Sequence, residues 1–189
     1  MRSAEIKRKT KETEIAVTLN IDGAGEYNIN TGIAFFDHLL SSFSKHGSFN
    51  LKIDAKGDNE HHLVEDVAIC LGNAFRDALG DKRGIARFGQ AVIPMDDVLM
   101  LVSIDISGRN YCALDLKLRR KKVEDFSVEM IPHFLESFTS EFKINMHAKL
   151  LDGRNDHHKT EALFKALGIA LRGACSVVGK GIPSTKGQL

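Results

Sequence analysis

His61-His62-Leu63-Val64-Glu65 and His157-His158-Lys159-Thr160-Glu161 spell the same His-His-x-x-Glu pattern twice in one chain. Each opens a stretch with helical apolar spacing. After the first come Val64, Val67, Ala68, Leu71, Ala74, Phe75 and Leu79, with Gly80 as C-cap; after the second a matching run extends to residue 178. Both runs contain a Leu-Gly step, Leu71-Gly72 and Leu167-Gly168. A lone histidine precedes each pair, His38 by 61 − 38 = 23 residues and His133 by 157 − 133 = 24. Two unrelated helices would need a coincidence of both motif and spacing, so the chain reads as an internal duplication.

Outward from these helices, each copy reads strand, strand, helix, strand, helix. Residues 14–22 alternate as a strand, 35–45 show helical spacing, 49–55 alternate again and 63–79 form the amphipathic helix. The second copy repeats the series at 97–106, 111–118, 131–140, 142–150 and 157–178, with an insertion that includes Leu118-Arg119-Arg120-Lys121-Lys122. The expected class is α+β: two half-domains, each a β-sheet with helices on one face. Residues 1–94 form the first half and 95–189 the second plus a C-terminal tail, together one catalytic domain.

Bulk composition narrows the function. With 189 residues, 43% hydrophobic and 27% charged, the chain can bury a substantial core. Its 26 basic and 25 acidic residues leave a net charge of +1, without the basic excess of a nucleic-acid binder. Cys70, Cys112 and Cys175 are odd in number and far apart, which suits reduced thiols in the cytoplasm better than a disulfide framework or zinc knuckle. The N-terminus lacks the apolar core of a signal peptide, and no segment approaches the ~18 apolar residues of a membrane helix.

The His-His-x-x-Glu helix is suited to metal chemistry. Successive helical residues point about 100° apart, so two adjacent imidazoles do not share one small ion, whereas Glu lies on the side of both. Each pair should therefore split between two ions. Pseudo-twofold symmetry then groups His38, His62, Glu65 and His157 around one ion and His61, His133, His158 and Glu161 around the other. Three imidazoles and one carboxylate leave open positions, which fits Mn, Fe or Zn and argues against calcium or a closed structural zinc. His46 and His147 read as surface or packing residues. Arg109, after a Ser-Gly turn at a strand end, is a candidate for planar oxyanion recognition.

The stretches TGIAFFDHLL, HHLVEDVAICLG, GIARFG, SIDISGR, HFLESF, HHKTEALFKALG and IPSTKG, in this order, resemble the imidazoleglycerol-phosphate dehydratase family of histidine biosynthesis. The resemblance spans Arg8 to Gly187. It implies a ribosomal protein S5 domain 2-like duplicated fold and loss of water from imidazole glycerol phosphate to give imidazole acetol phosphate. It also implies two Mn2+ per active site, with the substrate held as imidazolate between the ions, and a homo-oligomeric cage of 24 subunits. The implied metal ligands are His38, His61, His62, Glu65, His133, His157, His158 and Glu161. Glu12 corresponds to a substrate-contacting acid/base, and Arg87, Arg109, Lys165, Ser184, Thr185 and Lys186 to substrate or phosphate positions. The last three lie in a Pro/Gly-flanked tail, expected to order on binding against another subunit. Two other classes compete. A dinuclear metallohydrolase would rely on more bridging carboxylates, and a metal-storage oligomer would not need the arginine and lysine set.

Overall fold

The structure, a computed structural model, describes residues 2–189. The first half comprises β1 (Ser3–Lys9), β2 (Thr13–Asn20), β3 (Tyr27–Asn30), α1 (Ala34–Gly47), β4 (Asn50–Gly57) and α2 (Glu60–Leu79). The second comprises β5 (Phe88–Met95), β6 (Val98–Asp105), β7 (Tyr111–Asp115), α3 (Met130–Phe142), β10 (Asn145–Asp152) and α4 (Asp156–Cys175). Between β7 and α3 the insertion folds as a hairpin of β8 (Lys122–Val123) and β9 (Phe126–Ser127). The sheets have the same wiring, β1-β2-β4-β3 and β5-β6-β10-β7. In each, the first three strands in that order are antiparallel and the last pairs in parallel. The α+β duplication is thus repeated strand for strand.

Each four-stranded sheet contains one strand more than the alternation suggests. The extra strands, β1 and β5, are sheet edges. SAEIKRK has only Ala4 and Ile6 as apolar positions, too few to stand out, and FGQAVIPM carries Pro94, which an edge position tolerates. Because β5 pairs with β6, it belongs to the second sheet, and we propose that the halves divide between Leu79 and Phe88 rather than after residue 94.

One face of each central strand is buried. Ile15, Val17 and Leu19 of β2 and Val98, Met100, Val102 and Ile104 of β6 point at the helices. Helix α2 lies on β1 and β2, and α4 on β5 and β6. Asp66 fixes α2 to its sheet, its carboxylate accepting from Arg8 Nε at 2.9 Å and from the Thr13 hydroxyl. The helices then pair across the halves, α2 with α3 and α1 with α4. Glycines set how close they come. A Cβ on Gly72 would lie 2.8 Å from the Phe138 carbonyl oxygen of α3, and one on Gly168 would lie 2.4 Å from the Phe43 carbonyl of α1. These are the two Leu-Gly steps of the repeat. Burial pushes the Cys70 thiol up to about 11 and Cys175 up to about 12, which keeps both protonated at neutral pH.

Gly168→Ala puts a methyl group against backbone that has no flexible end to move aside. It is expected to destabilise the fold by about 1–3 kcal/mol, or roughly 2–4 °C of unfolding midpoint per kcal/mol for a chain of this size. Gly179→Ala, where a Cβ meets nothing within 4 Å, is the control and should leave the midpoint unchanged in a thermal melt.

Candidate metal centre

The helix pairs run parallel, and their N-terminal ends carry the histidines. His38 is in the second turn of α1 and His133 in the first turn of α3, while His61-His62 and His157-His158 open α2 and α4. Asparagines cap both motif helices, Asn59 accepting the His62 N–H and Asn155 the His157 N–H, each at 2.9 Å.

Cross-half pairing produces two triads. His61, Glu65 and His133 form one, with ligand atoms all within 4.8 Å of one another. Glu65 Oε2 lies 4.0 Å from His61 Nε2 and 3.9 Å from His133 Nε2, and the two imidazoles stack with centroids 4.4 Å apart. In the other triad, Glu161 Oε2 lies 3.3 Å from His38 Nε2 and 3.5 Å from His157 Nε2. His133 Nε2 is buried without a hydrogen-bond partner among the described residues. A buried ring nitrogen facing a carboxylate and a second imidazole suits a divalent cation, as does the mixed nitrogen–oxygen donor set.

Pseudo-twofold symmetry groups His38 with His157 and His61 with His133, and the structure brings the same pairs together. It exchanges the carboxylates, however: Glu65 joins His61 and His133, and Glu161 joins His38 and His157. The reason is helical geometry. Residues four apart differ by about 40° around the axis and residues three apart by about 60°, so each Glu sides with the first histidine of its pair. His62 and His158 stay outside their own chain's triads, their rings perpendicular to their neighbours at 81° and 89°. His62 is near Asp58, Asn59 and Glu12, and His158 near Asp96 and Asp97. The hydrogen bond to Asp58 raises the His62 pKa, and the bond from His158 holds Asp97 well below the usual carboxylate range. The sequence motifs do not single out any of these three aspartates.

The insertion is fastened to three helix starts. Asp125 accepts the N–H groups of Ala34 and Phe35 at 2.7 and 2.9 Å and so caps α1. Glu60, the first residue of α2, accepts from Ser127 N–H and hydroxyl at 2.8 and 2.5 Å. Asp156, the first residue of α4, accepts the N–H groups of Arg119 and Arg120, both at 2.7 Å. The buried Lys159 ammonium neutralises Asp156 at 2.8 Å and donates to the Lys117 carbonyl.

The anion-binding candidates fall into two groups. Lys165 lies beside the second triad, 2.8 Å from Glu161 Oε1. Burial pushes the Glu161 pKa up, but its bonds with Lys165 and His38 outweigh this and leave it lowered. Arg87 is at the other end of the molecule. Its N–H donates to Ala174 at the C-terminus of α4, and its guanidinium pairs with Asp105 at 2.7 Å and donates to the Pro183 carbonyl. From His157 to Ala174 the helix rises about 26 Å at 1.5 Å per residue. The tail is not loose; it folds back on its own chain through backbone bonds between Gly84 or Ala86 and residues 176–181. This brings Ser184, Thr185 and Lys186 toward Arg87, and the chain end toward Gly108, next to the exposed Arg109. His46 and His147 lie outside both triads.

A family model described as imidazoleglycerol-phosphate dehydratase matches residues 31–171. An imidazoleglycerol-phosphate dehydratase of Caldicellulosiruptor saccharolyticus is 51% identical over 100% of this chain and 98% of its own. That of Thermoanaerobacter sp. strain X514 is 55% identical over 100% of both. Among solved structures, IGPD from Pyrococcus furiosus in complex with (S)-C348 aligns with a TM-score of 0.87 and 38% identity, covering 97% of this chain and 100% of that one. The Staphylococcus aureus imidazoleglycerol-phosphate dehydratase aligns at 0.86 and 33% identity, covering 93% and 99%.

Adding Mn2+ to metal-free protein is expected to raise the unfolding midpoint, the gain reaching about 2.7 kcal/mol at a free ion concentration of 100 Kd. The gain should shrink as pH falls from 8 to 5.5, because imidazole ligands bind only when neutral. A midpoint insensitive to Mn2+ at pH 8 would contradict the metal assignment.

Proposed function

The chain belongs to the imidazoleglycerol-phosphate dehydratase family, and from that premise we propose how its residues carry out the dehydration. The activity is that of a hydro-lyase in histidine biosynthesis, with imidazole glycerol phosphate as substrate and imidazole acetol phosphate as product. The observation that carries our reading is the pair of symmetry-related triads. His38, His157 and Glu161 would hold one divalent ion, and His61, His133 and Glu65 the other. Two Mn2+ ions held by these residues would supply Lewis acidity that favours the substrate imidazole in its deprotonated form.

His62 and His158 face away from these triads, and we assign them as fourth ligands to sites in neighbouring copies of the chain. The anion-binding residues support the same composite arrangement. A small phosphorylated substrate cannot reach from Lys165, at the metal centre, to Arg87 at the far end of α4. Arg87, Arg109, Ser184, Thr185 and Lys186 therefore serve the triads of another subunit, and binding energy on the phosphate positions the reacting carbons. Phe88, Val92 and Tyr111, all exposed on the outer face of the second sheet, are further surface for a homo-oligomer to cover. The 24-subunit cage implied by the resemblance supplies such neighbours. A cytoplasmic location belongs to the same proposal; no described helix is long and apolar enough to cross a membrane.

Glu12 lies on the β1–β2 turn, exposed and 3.8 Å from His62 Nδ1. No Lys or Arg pairs with it among the described residues, so its carboxylate is available to take the proton from the substrate carbon.

Glu12→Gln is expected to abolish measurable conversion to the acetol phosphate while two Mn2+ per chain remain bound by metal analysis. Near-normal turnover in that variant would remove Glu12 from the reaction. Arg109→Ala should raise KM by about 10–100-fold, the equivalent of one charge-assisted hydrogen bond, without changing metal content.

A further inference from the structure

Asp97 sits in the turn between β5 and β6, where Asp96 takes a left-handed φ of 47°. Its Oδ2 accepts the N–H groups of Arg154 and Asn155, the residues leading into α4, at 2.8 and 3.1 Å. Its Oδ1 lies 2.7 Å from His158 Nδ1. A carboxylate that receives two backbone donors is itself an acceptor only, so the ring must be the donor and the proton sits on Nδ1. In the neutral ring Nε2 then keeps its lone pair. It lies 3.4 Å from Asp96 Oδ2, a contact that becomes attractive when a proton or a metal cation sits on Nε2.

We propose that Asp97 is a positioning residue that locks His158 in its Nδ1–H tautomer and presents Nε2 outward as a preformed ligand for a divalent cation. This rests on the two-ion reading above. It matches a recurrent arrangement in which the second nitrogen of a metal-binding histidine is held by a carboxylate.

The first half lacks this device: Glu12, the carboxylate of its corresponding turn, lies 3.8 Å from His62 Nδ1, beyond hydrogen-bond distance. His62 Nδ1 lies 2.9 Å from Asp58 Oδ1 and 2.8 Å from the Asn59 side-chain nitrogen. Because Asn59 Oδ1 accepts the His62 N–H, its amide nitrogen is the end that faces the ring and competes to donate into Nδ1. One partner calls for a proton on Nδ1 and the other for a lone pair, so no single tautomer is enforced. Asp58 also receives no backbone donor on its side chain among the described residues. The two outward histidines therefore differ: His158 is preorganised and His62 is not.

Equilibrium dialysis of Mn2+ against the full-length wild type, Asp97→Asn and Asp58→Asn tests this. The wild type is expected to bind two ions per chain. Asp97→Asn should weaken one of them by about 10–100-fold and leave the other unchanged, while Asp58→Asn costs less. Wild-type affinity for both ions in Asp97→Asn, or an equal loss in Asp58→Asn, overturns the proposal. A variant that fails to fold does not leave the question open, because metal-free wild type labelled with 15N-histidine reports the tautomer directly. At pH 8 the His158 ring, identified by its absence in His158→Gln, should show a protonated Nδ1 and a bare Nε2. A protonated Nε2 overturns the proposal. A wild type that binds no Mn2+ contradicts the two-ion reading instead, and the ring spectrum still decides the role of Asp97.

Discussion

The architecture depends on close approach between helices that belong to different halves. Gly72 lets α2 settle against α3, and Gly168 lets α4 settle against α1. Because the paired helices run parallel, a glycine crossing toward their C-terminal ends aligns their N-terminal ends as well, where His133 meets His61 and Glu65, and His38 meets His157 and Glu161. Packing and chemistry are therefore not separable here. A change that widened either crossing would also spread a triad of side chains that the proposed metal sites need close together.

The insertion in the second half acts on the same ends of the helices. Asp125, Glu60 and Asp156 tie it to the starts of α1, α2 and α4, and the Asp156–Lys159 pair is almost completely buried. Burying two charges stabilises little in itself, but losing either partner leaves a buried charge uncompensated. Such a contact favours one arrangement of loop and helix over near alternatives. The arrangement favoured is the one that holds His157 at the mouth of its triad.

Much of this was legible in the chain because duplication prints the same constraint twice. The paired motifs, the lone histidines and the Leu-Gly steps each occur at matched positions, and matching made them stand out. The grouping of His38 with His157 and of His61 with His133 followed from that symmetry. The assignment of the carboxylates did not, because it turns on whether a helix brings residues three or four apart closer together in azimuth. Strands β1 and β5 are masked by their edge positions, where a shortage of apolar side chains and Pro94 weaken the signal. Asp97 left no trace at all. Two aspartates between apolar runs mark a turn, and only the folded chain shows that one of them reaches a histidine 61 positions away.

Because α1 rests on α4 and α2 on α3, neither half contains a complete triad. A single ancestral copy could have assembled one only as a symmetric homodimer, with the lone histidine of each protomer meeting the His-His-x-x-Glu helix of the other. Fusing two such copies makes that encounter intramolecular, at the high effective concentration of a short tether. It also frees the copies from identity. On one polypeptide the two ends are free to differ, and they do: Lys165 follows Glu161 by four residues where Ile69 follows Glu65, and Asp97 bonds to His158 where Glu12 stands 3.8 Å from His62.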